Sequence, residues 1–64
     1  MIWTDINEIA IELVELYPDI DPRYILFTDL TKKVMNLNHF TGELNRVNEQ
    51  ILEAIQAAWI EELD

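Results

Sequence analysis

Carboxylates dominate the first third of the chain. The stretch TDINEIAIELVELYPDIDP, residues 4–22, carries six of them and not one Lys or Arg. On a helix that advances about 100° per residue, five fall within roughly a quarter of the circumference if the turn continues past the proline. We call these five the acidic stripe: Asp5, Glu8, Glu12, Glu15 and Asp19. Carboxylates at this spacing can face a basic protein surface or share a hard or borderline cation, such as Mg, Ca, Mn or ferrous iron.

The acidic stripe carries an energetic cost. Like-charged neighbours three or four residues apart each cost a few tenths of a kcal/mol, so the whole stripe costs about 1 kcal/mol. The helix dipole offsets this cost at Asp5 and Glu8 but adds to it at Glu15. A solvated face that keeps a small protein soluble is one interpretation. Such faces usually mix signs, so the absence of bases through residue 22 favours an external cation, either a basic protein or a metal ion.

The residue types restrict which metal could bind. The chain has no cysteine and a single histidine, His39, which excludes a tight zinc site. His39 either adds a nitrogen ligand or is an exposed loop residue. Any metal bound by the carboxylates is expected to be weakly held, exchangeable and unnecessary for folding.

Size and charge restrict the function further. The chain has 64 residues, a net charge of -9 and a pI near 4.2. Such a charge repels nucleic acid and anionic membranes, and no apolar run approaches the roughly 20 residues of a membrane span. No nucleophile lies beside a histidine, and no glycine-rich phosphate loop is present. We therefore expect one domain spanning residues 1–64: a cytoplasmic, monomeric protein that is not an enzyme and has neither nucleic-acid nor membrane partners.

Apolar spacing predicts the elements that position the acidic stripe. A first helix is predicted from about Asp5 to Tyr17, capped by Thr4 or Asp5 and stopped before Pro18. The following DIDP places Asp21 to cap a further helical turn that begins at Pro22.

The sequence after Pro22 predicts two more helices. YILF fits either a turn or a short strand. Thr28 is predicted to cap a helix over residues 29–37, residues 38–45 form a loop or small wing, and the last helix covers residues 46–63. The fold class is mainly α, with three to four helices in a compact bundle or a helix-turn-helix arrangement.

A helix-turn-helix arrangement raises the alternative of a DNA-binding transcription regulator. Lys32 and Lys33 would then supply the phosphate contacts. Two lysines against thirteen acids argue against useful affinity for DNA. These lysines are expected instead to pair with nearby carboxylates or to contact an acidic patch of a partner.

The order of short motifs along the chain resembles the IscX family, also called YfhJ. The motifs are WTD (Trp3 to Asp5), EI, YPD (Tyr17 to Asp19), DP, FTD (Phe27 to Asp29), NE and ILEAI (Ile51 to Ile55), followed by Trp59. The resemblance implies a small winged-helix-like protein of bacterial iron–sulfur cluster assembly, which binds the cysteine desulfurase IscS and ferrous iron. Such a protein is viewed as an iron donor, adaptor or regulator that competes with frataxin-like protein and ferredoxin, and not as an enzyme. An adaptor with no metal role remains an alternative.

Carried onto this sequence, the resemblance implies two overlapping sets of site residues. The candidate iron ligands are Asp5, Glu8, Asp19, Asp21 and Asp29, and the candidate partner surface is the acidic stripe. Asp21 and Asp29 could instead cap helices. Where the family is expected to have a dense acidic loop, this chain has NHFTGELNR with Glu43 as its single acid. Desulfurase binding is therefore expected to be kept better than tight iron affinity.

Overall fold

Three α-helices and two single 3-10 turns make up the protein. The computed structural model describes all residues, 1–64, and contains no β-strand. The helices are α1 (Ile6–Leu16), α2 (Phe27–Met35) and α3 (Glu49–Leu63), and the 3-10 turns are Pro22–Tyr24 and Leu44–Arg46. The prediction of a mainly α fold is confirmed. The alternative of a short strand at YILF is wrong, because Tyr24 closes a 3-10 turn and Phe27 begins α2.

One hydrophobic core holds the helices together, and α1 and α3 share the most extensive contact. On α1, Leu13 follows Ile9 by four residues, and on α3, Trp59 follows Ile55 by four residues, which is the spacing of one helix face. All four side chains are fully buried. The ten core side chains are Trp3, Ile9, Ala10, Leu13, Leu30, Val34, Leu37, Leu52, Ile55 and Trp59. No polar or charged residue is buried among them.

The predicted limits of α1 are confirmed to within one residue. The backbone amide of Tyr17 donates to the carbonyl of Leu13 at 2.9 Å, and the helix stops before Pro18. Asp5 occupies the N-cap position, but its side chain does not cap the helix. Its Oδ2 instead accepts a hydrogen bond from the amide of Ile2 at 2.8 Å, which fixes the segment that leads into α1.

α2 does not begin where the sequence predicts. Thr28 is not the cap but an exposed residue inside the helix, which runs from Phe27 to Met35 rather than over residues 29–37. Phe27, Leu30 and Val34 follow helical spacing and pack into or against the core. Their packing sets the start of the helix and overrides the local capping preference of Thr28.

α3 begins three residues later than the sequence predicts. Arg46 belongs to the second 3-10 turn, and the helix starts at Glu49. Asn48 is the reason, because its side-chain oxygen accepts from the amide of Ile51 at 2.8 Å and so caps the helix.

Substitution of this cap should destabilise the fold. Asn48→Ala leaves the amide of Ile51 without its partner and is expected to lower the free energy of unfolding by about 1 kcal/mol. Asn48→Asp keeps an accepting oxygen and should match the wild type, so it is the control. Urea unfolding followed by circular dichroism measures both. Equal stability of Asn48→Ala and the wild type would contradict the role assigned to the cap.

The segment between α2 and α3 is tied to the N-terminus. The amino group of Met1 donates to the carbonyl of His39 at 2.8 Å, and the amide of Thr41 donates to the carbonyl of Met1, also at 2.8 Å. His39 takes a positive φ of 67°, the left-handed region, which reverses the chain after α2. The loop predicted at residues 38–45 therefore runs against residue 1.

Trp3 anchors the same segment from the core side. Its indole Nε1 donates to the carbonyl of Glu43 at 2.7 Å, and its ring meets Phe40 edge to face at 4.8 Å between centroids. Gly42 fits here because a Cβ at this position would collide with the Phe40 ring and with Trp3 Cδ1. These contacts fix the loop beside the N-terminal end of α1.

Candidate functional site

The acidic stripe lies on the outer surface of the protein. Glu8, Glu15 and Asp19 are exposed, and Asp5 and Glu12 are half-buried. The helical part of the stripe runs from the N-cap of α1 to its last turn, a rise of about 15 Å. Its position follows from the apolar residues of α1, which turn Ile9 and Leu13 into the core and leave these carboxylates facing outwards.

No basic side chain of the protein neutralises the acidic stripe. None of its five carboxylates makes a salt bridge. Asp5 accepts a hydrogen bond only from the amide of Ile2, and no side-chain hydrogen bond is made by Glu8, Glu12, Glu15 or Asp19. The single salt bridge of the chain joins Arg23 and Asp21, outside the stripe. The stripe is therefore available to an external positive charge.

Asp19 sits beyond the helix that carries the rest of the stripe. α1 ends at Leu16, and the chain turns at Pro18 with the amide of Ile20 donating to the carbonyl of Tyr17 at 3.2 Å. The helical extrapolation that placed Asp19 in the stripe therefore fails. Asp19 remains exposed at the end of α1, and the turn determines its position.

Asp21 has the structural role that the sequence offers as an alternative to iron binding. Its side chain accepts from the amide of Arg23 at 3.0 Å and caps the 3-10 turn that begins at Pro22. The same carboxylate pairs with the Arg23 guanidinium, with 3.1 Å between Oδ1 and Nε. The side-chain hydrogen bond from Arg23 is the main reason why the pKa of Asp21 is lowered.

The lowered pKa of Asp21 predicts a pH-dependent contribution to stability. A carboxyl with a depressed folded-state pKa contributes stability above its unfolded pKa, near 4, and this contribution disappears as the pH falls through the folded value. Asp21→Asn should therefore have a lower melting temperature than the wild type at about pH 7, and this difference in melting temperature should shrink below about pH 4. Asn keeps an oxygen for the amide of Arg23, so this substitution tests the ion pair alone.

Thermal melts followed by circular dichroism measure this dependence. The effect is expected to be small, because the Arg23 side chain is 65% and the Asp21 side chain 40% exposed to solvent and salt. Arg23→Gln breaks the same pair from the other side and should show the same trend with pH. A difference between Asp21→Asn and the wild type that grows as the pH falls would contradict the assignment.

The candidate iron ligands do not converge. Asp5 and Glu8 lie at the start of α1, Asp19 and Asp21 follow its end, and Asp29 lies in the first turn of α2 without capping it. No three acidic or histidine side chains form a group that could hold a metal ion. His39, the single nitrogen ligand available, is exposed in the loop after α2.

The basic residues of α2 do not pair with carboxylates of this chain, so the first of the two predicted roles is wrong. Lys33 is half-buried, and its Nζ lies 5.1 Å from the centre of the Tyr17 ring, a cation–π contact between α2 and the end of α1. Lys32 is exposed and makes no ion pair. One of the two candidate phosphate contacts for DNA is therefore already held against an aromatic ring.

A groove of about 390 Å³ lies where the N-terminus meets the loop before α3. The sequence gives no sign of it, because it is formed by segments forty residues apart that Trp3 and Glu43 join. Glu43 and Arg46 are its charged lining residues, and they form no salt bridge with each other. The groove is lined by Ile2, Trp3, Thr4, Thr41, Gly42, Glu43, Arg46 and Ile51.

Two large apolar side chains are exposed between α1 and α2. Tyr24 is 82% exposed and Leu26 is 66% exposed, more than any other large apolar side chain of the protein. The sequence does not single them out, since YILF is interpreted only as a turn or a short strand. The Asp21–Pro22 turn signal is the feature that could have indicated an exposed connection.

The longest helix of the protein has 15 residues, and no helix has the length and apolar character needed to cross a membrane.

Comparison with known proteins finds similarity over nearly the whole chain. A protein-family model described as iron–sulphur cluster assembly matches residues 1–64. An uncharacterized protein of Pseudomonas aeruginosa is 55% identical over 62 residues, which cover 97% of this chain and 94% of that protein. The family match therefore includes α1, the acidic stripe and α3.

Proposed function

The chain belongs to the IscX (YfhJ) family of iron–sulphur cluster assembly, and we propose that it serves there as an acidic accessory protein that docks on a cysteine desulfurase. The acidic stripe carries this proposal, because its exposed carboxylates have no basic partner within the protein. A complementary basic surface on a partner would remove the like-charge cost that the stripe imposes on α1.

The proposed mechanism is steric and electrostatic. The acidic stripe occupies a basic groove of the desulfurase beside the mobile segment that carries sulfur, and so modulates sulfur transfer without catalysing a reaction. Other acidic partners of the enzyme, such as a frataxin-like protein and ferredoxin, compete for the same groove. The net charge of -9 steers the encounter over the Debye length of about 8 to 10 Å at moderate salt.

Salt dependence is the direct test of this proposal. Binding to a purified cysteine desulfurase is expected to be micromolar at about 0.05 M salt and to weaken at least tenfold at about 0.5 M. Calorimetry or biolayer interferometry at several salt concentrations gives the slope. An affinity that does not change over this range would contradict a charge-driven contact.

Iron binding is proposed as a second, weaker property of the same carboxylates. Asp5, Glu8, Asp19, Asp21 and Asp29 are its candidate ligands. Because they do not converge, a ferrous ion would be held by one or two carboxylates and completed by water, which gives a low, exchangeable affinity. Ferrous iron held at the interface would then strengthen docking, in keeping with an iron donor.

An anaerobic titration with ferrous iron, followed by NMR, tests this second property. Selective broadening of resonances from α1 and the following turn is expected, and desulfurase binding should tighten when iron is present. The absence of broadening at millimolar iron would leave an adaptor with no metal role.

The winged-helix-like arrangement implied by the family is part of the proposal, with the loop between α2 and α3 in place of the wing. A DNA-binding regulator built on that arrangement is the competing function. Stoichiometric, salt-sensitive binding to duplex DNA would favour it. The net charge of -9 and the engagement of Lys33 with Tyr17 support the desulfurase instead. A protein of the assembly machinery with this function would act in the cytoplasm.

A further inference from the structure

The connection between α1 and α2 leaves two large apolar side chains in solvent, Tyr24 and Leu26. Ile25 and Leu26 have extended backbones, with ψ of 139° and 145°. Ile25 packs against the core, whereas Tyr24 and Leu26 face solvent. The Tyr24 hydroxyl makes no hydrogen bond, and its ring takes part in no aromatic or cation–π contact. Neither side chain belongs to the core or to the apolar residues packed against it.

Carboxylates without ion pairs lie on both sides of this apolar pair. Asp19 precedes it at the end of α1, and Asp29 follows it in the first turn of α2, three residues after Leu26. Arg23, the one base of the connection, is paired with Asp21 and adds no net positive charge. A matching surface must therefore offer an apolar pocket with basic residues around it.

The apolar pair is continuous with the acidic stripe. Asp19 and Asp21 are two residues apart, at most about 7.6 Å between Cα atoms. The 3-10 turn, in which the amide of Tyr24 donates to the carbonyl of Asp21 at 3.2 Å, spans less than about 7 Å. Tyr24 thus lies within about 15 Å of Asp19, the carboxylate that follows α1. A typical protein interface of about 800 Å² on each partner is wide enough to cover both.

We propose that Tyr24 and Leu26 are the apolar anchor of the desulfurase contact, inserting into an apolar pocket beside the basic groove that receives the acidic stripe. This inference rests on the proposed function and adds to it. Charge brings the partners together and sets the salt dependence, whereas the desolvated tyrosine and leucine hold the complex. Aromatic residues are enriched at the centres of interfaces, where burial of a few side chains supplies most of the affinity.

The experiment compares single variants in binding to a purified cysteine desulfurase at about 0.05 M and about 0.5 M salt. Tyr24→Ala and Leu26→Ala are each expected to weaken binding about tenfold at both salt concentrations, with the salt slope unchanged. Glu8→Gln and Glu15→Gln are expected to reduce the slope instead. Because both apolar side chains are largely exposed, circular dichroism and the melting temperature of their variants should match the wild type.

Leu44→Ala is the matched control. Leu44 is 60% exposed, but it follows Glu43, whose carbonyl accepts from Trp3 at the opposite end of α1. This variant should bind as tightly as the wild type.

Three results would overturn the inference. If the wild type binds and both Tyr24→Ala and Leu26→Ala bind equally tightly, the inference is wrong but the proposed function stands. A wild-type dimer in sedimentation that Tyr24→Ala dissociates would assign the pair to a second copy of this chain. Failure of the wild type to bind at about 0.05 M salt would overturn the proposed function and this inference together.

Discussion

Reversing the charge of Glu8 and Glu15 to lysine is expected to abolish docking on the cysteine desulfurase. Each substitution replaces an attraction by a repulsion on the exposed face of α1. Two such changes should weaken binding roughly a hundredfold or more, equivalent to about 3 kcal/mol. Binding measured at about 0.05 M salt, where screening is weakest, gives the largest difference.

The fold should tolerate this double reversal. Both residues are exposed and make no salt bridge. Lysine in the first turn of α1 opposes the helix dipole, and lysine near its last turn is favoured by it, so the two effects largely cancel. Circular dichroism should show an unchanged helix content.

A double reversal of equal net charge on another helix is the control. Glu53 and Glu61 are exposed on α3, and Glu53→Lys with Glu61→Lys should weaken docking far less. If both double variants lost the same affinity, net charge rather than the acidic stripe would drive the association, and the proposed site would be wrong.

Truncation of Trp59 is expected to unfold much of the protein. Trp59 is the largest fully buried side chain and lies where α3 packs against the core. Substitution of a buried Trp by Ala typically costs about 3 to 5 kcal/mol. A chain of this length has a total stability of only about 3 to 10 kcal/mol, so the variant should lose much or all of its cooperative unfolding transition. Urea unfolding followed by circular dichroism measures the loss.

Trp59→Phe separates the loss of packing from the loss of the indole group. The Trp59 Nε1–H is buried without a hydrogen-bond partner, a situation that costs about 1 to 3 kcal/mol. Phenylalanine keeps most of the apolar contact and removes this unsatisfied donor. Its net destabilisation should therefore be below about 2 kcal/mol. A Trp59→Ala variant as stable as Trp59→Phe would contradict the central position of this side chain.

The helices could be predicted because their signals are local. The spacing of Ile9 and Leu13, the Tyr17–Pro18 stop and the Asp21–Pro22 start each depend on residues within one or two turns. These predictions are confirmed in α1 and in the first 3-10 turn. The acidic stripe could be predicted for the same reason, since the apolar face of a helix also determines its solvent face.

The prediction of a helix start is wrong where packing overrides the capping preference of a single residue. Thr28 is a good capping residue, but burial of Leu30 and Val34 together with Phe27 starts α2 earlier. Asn48 is an equally good cap and does begin α3, where its side-chain oxygen accepts from the amide of Ile51. A capping residue alone cannot reveal which of these two outcomes applies.

By itself, the sequence determined the mainly α fold, the exposed acidic face and the family, since all three depend on the order and spacing of residues along the chain. Tertiary structure alone decided which polar groups remained free. It placed Lys33 of α2 on Tyr17 at the end of α1, while the acidic stripe kept no basic partner. It also turned Ile25 inwards and left Tyr24 and Leu26 in solvent. The physical reason is that ion pairs and burial depend on distances between segments that chain order does not fix.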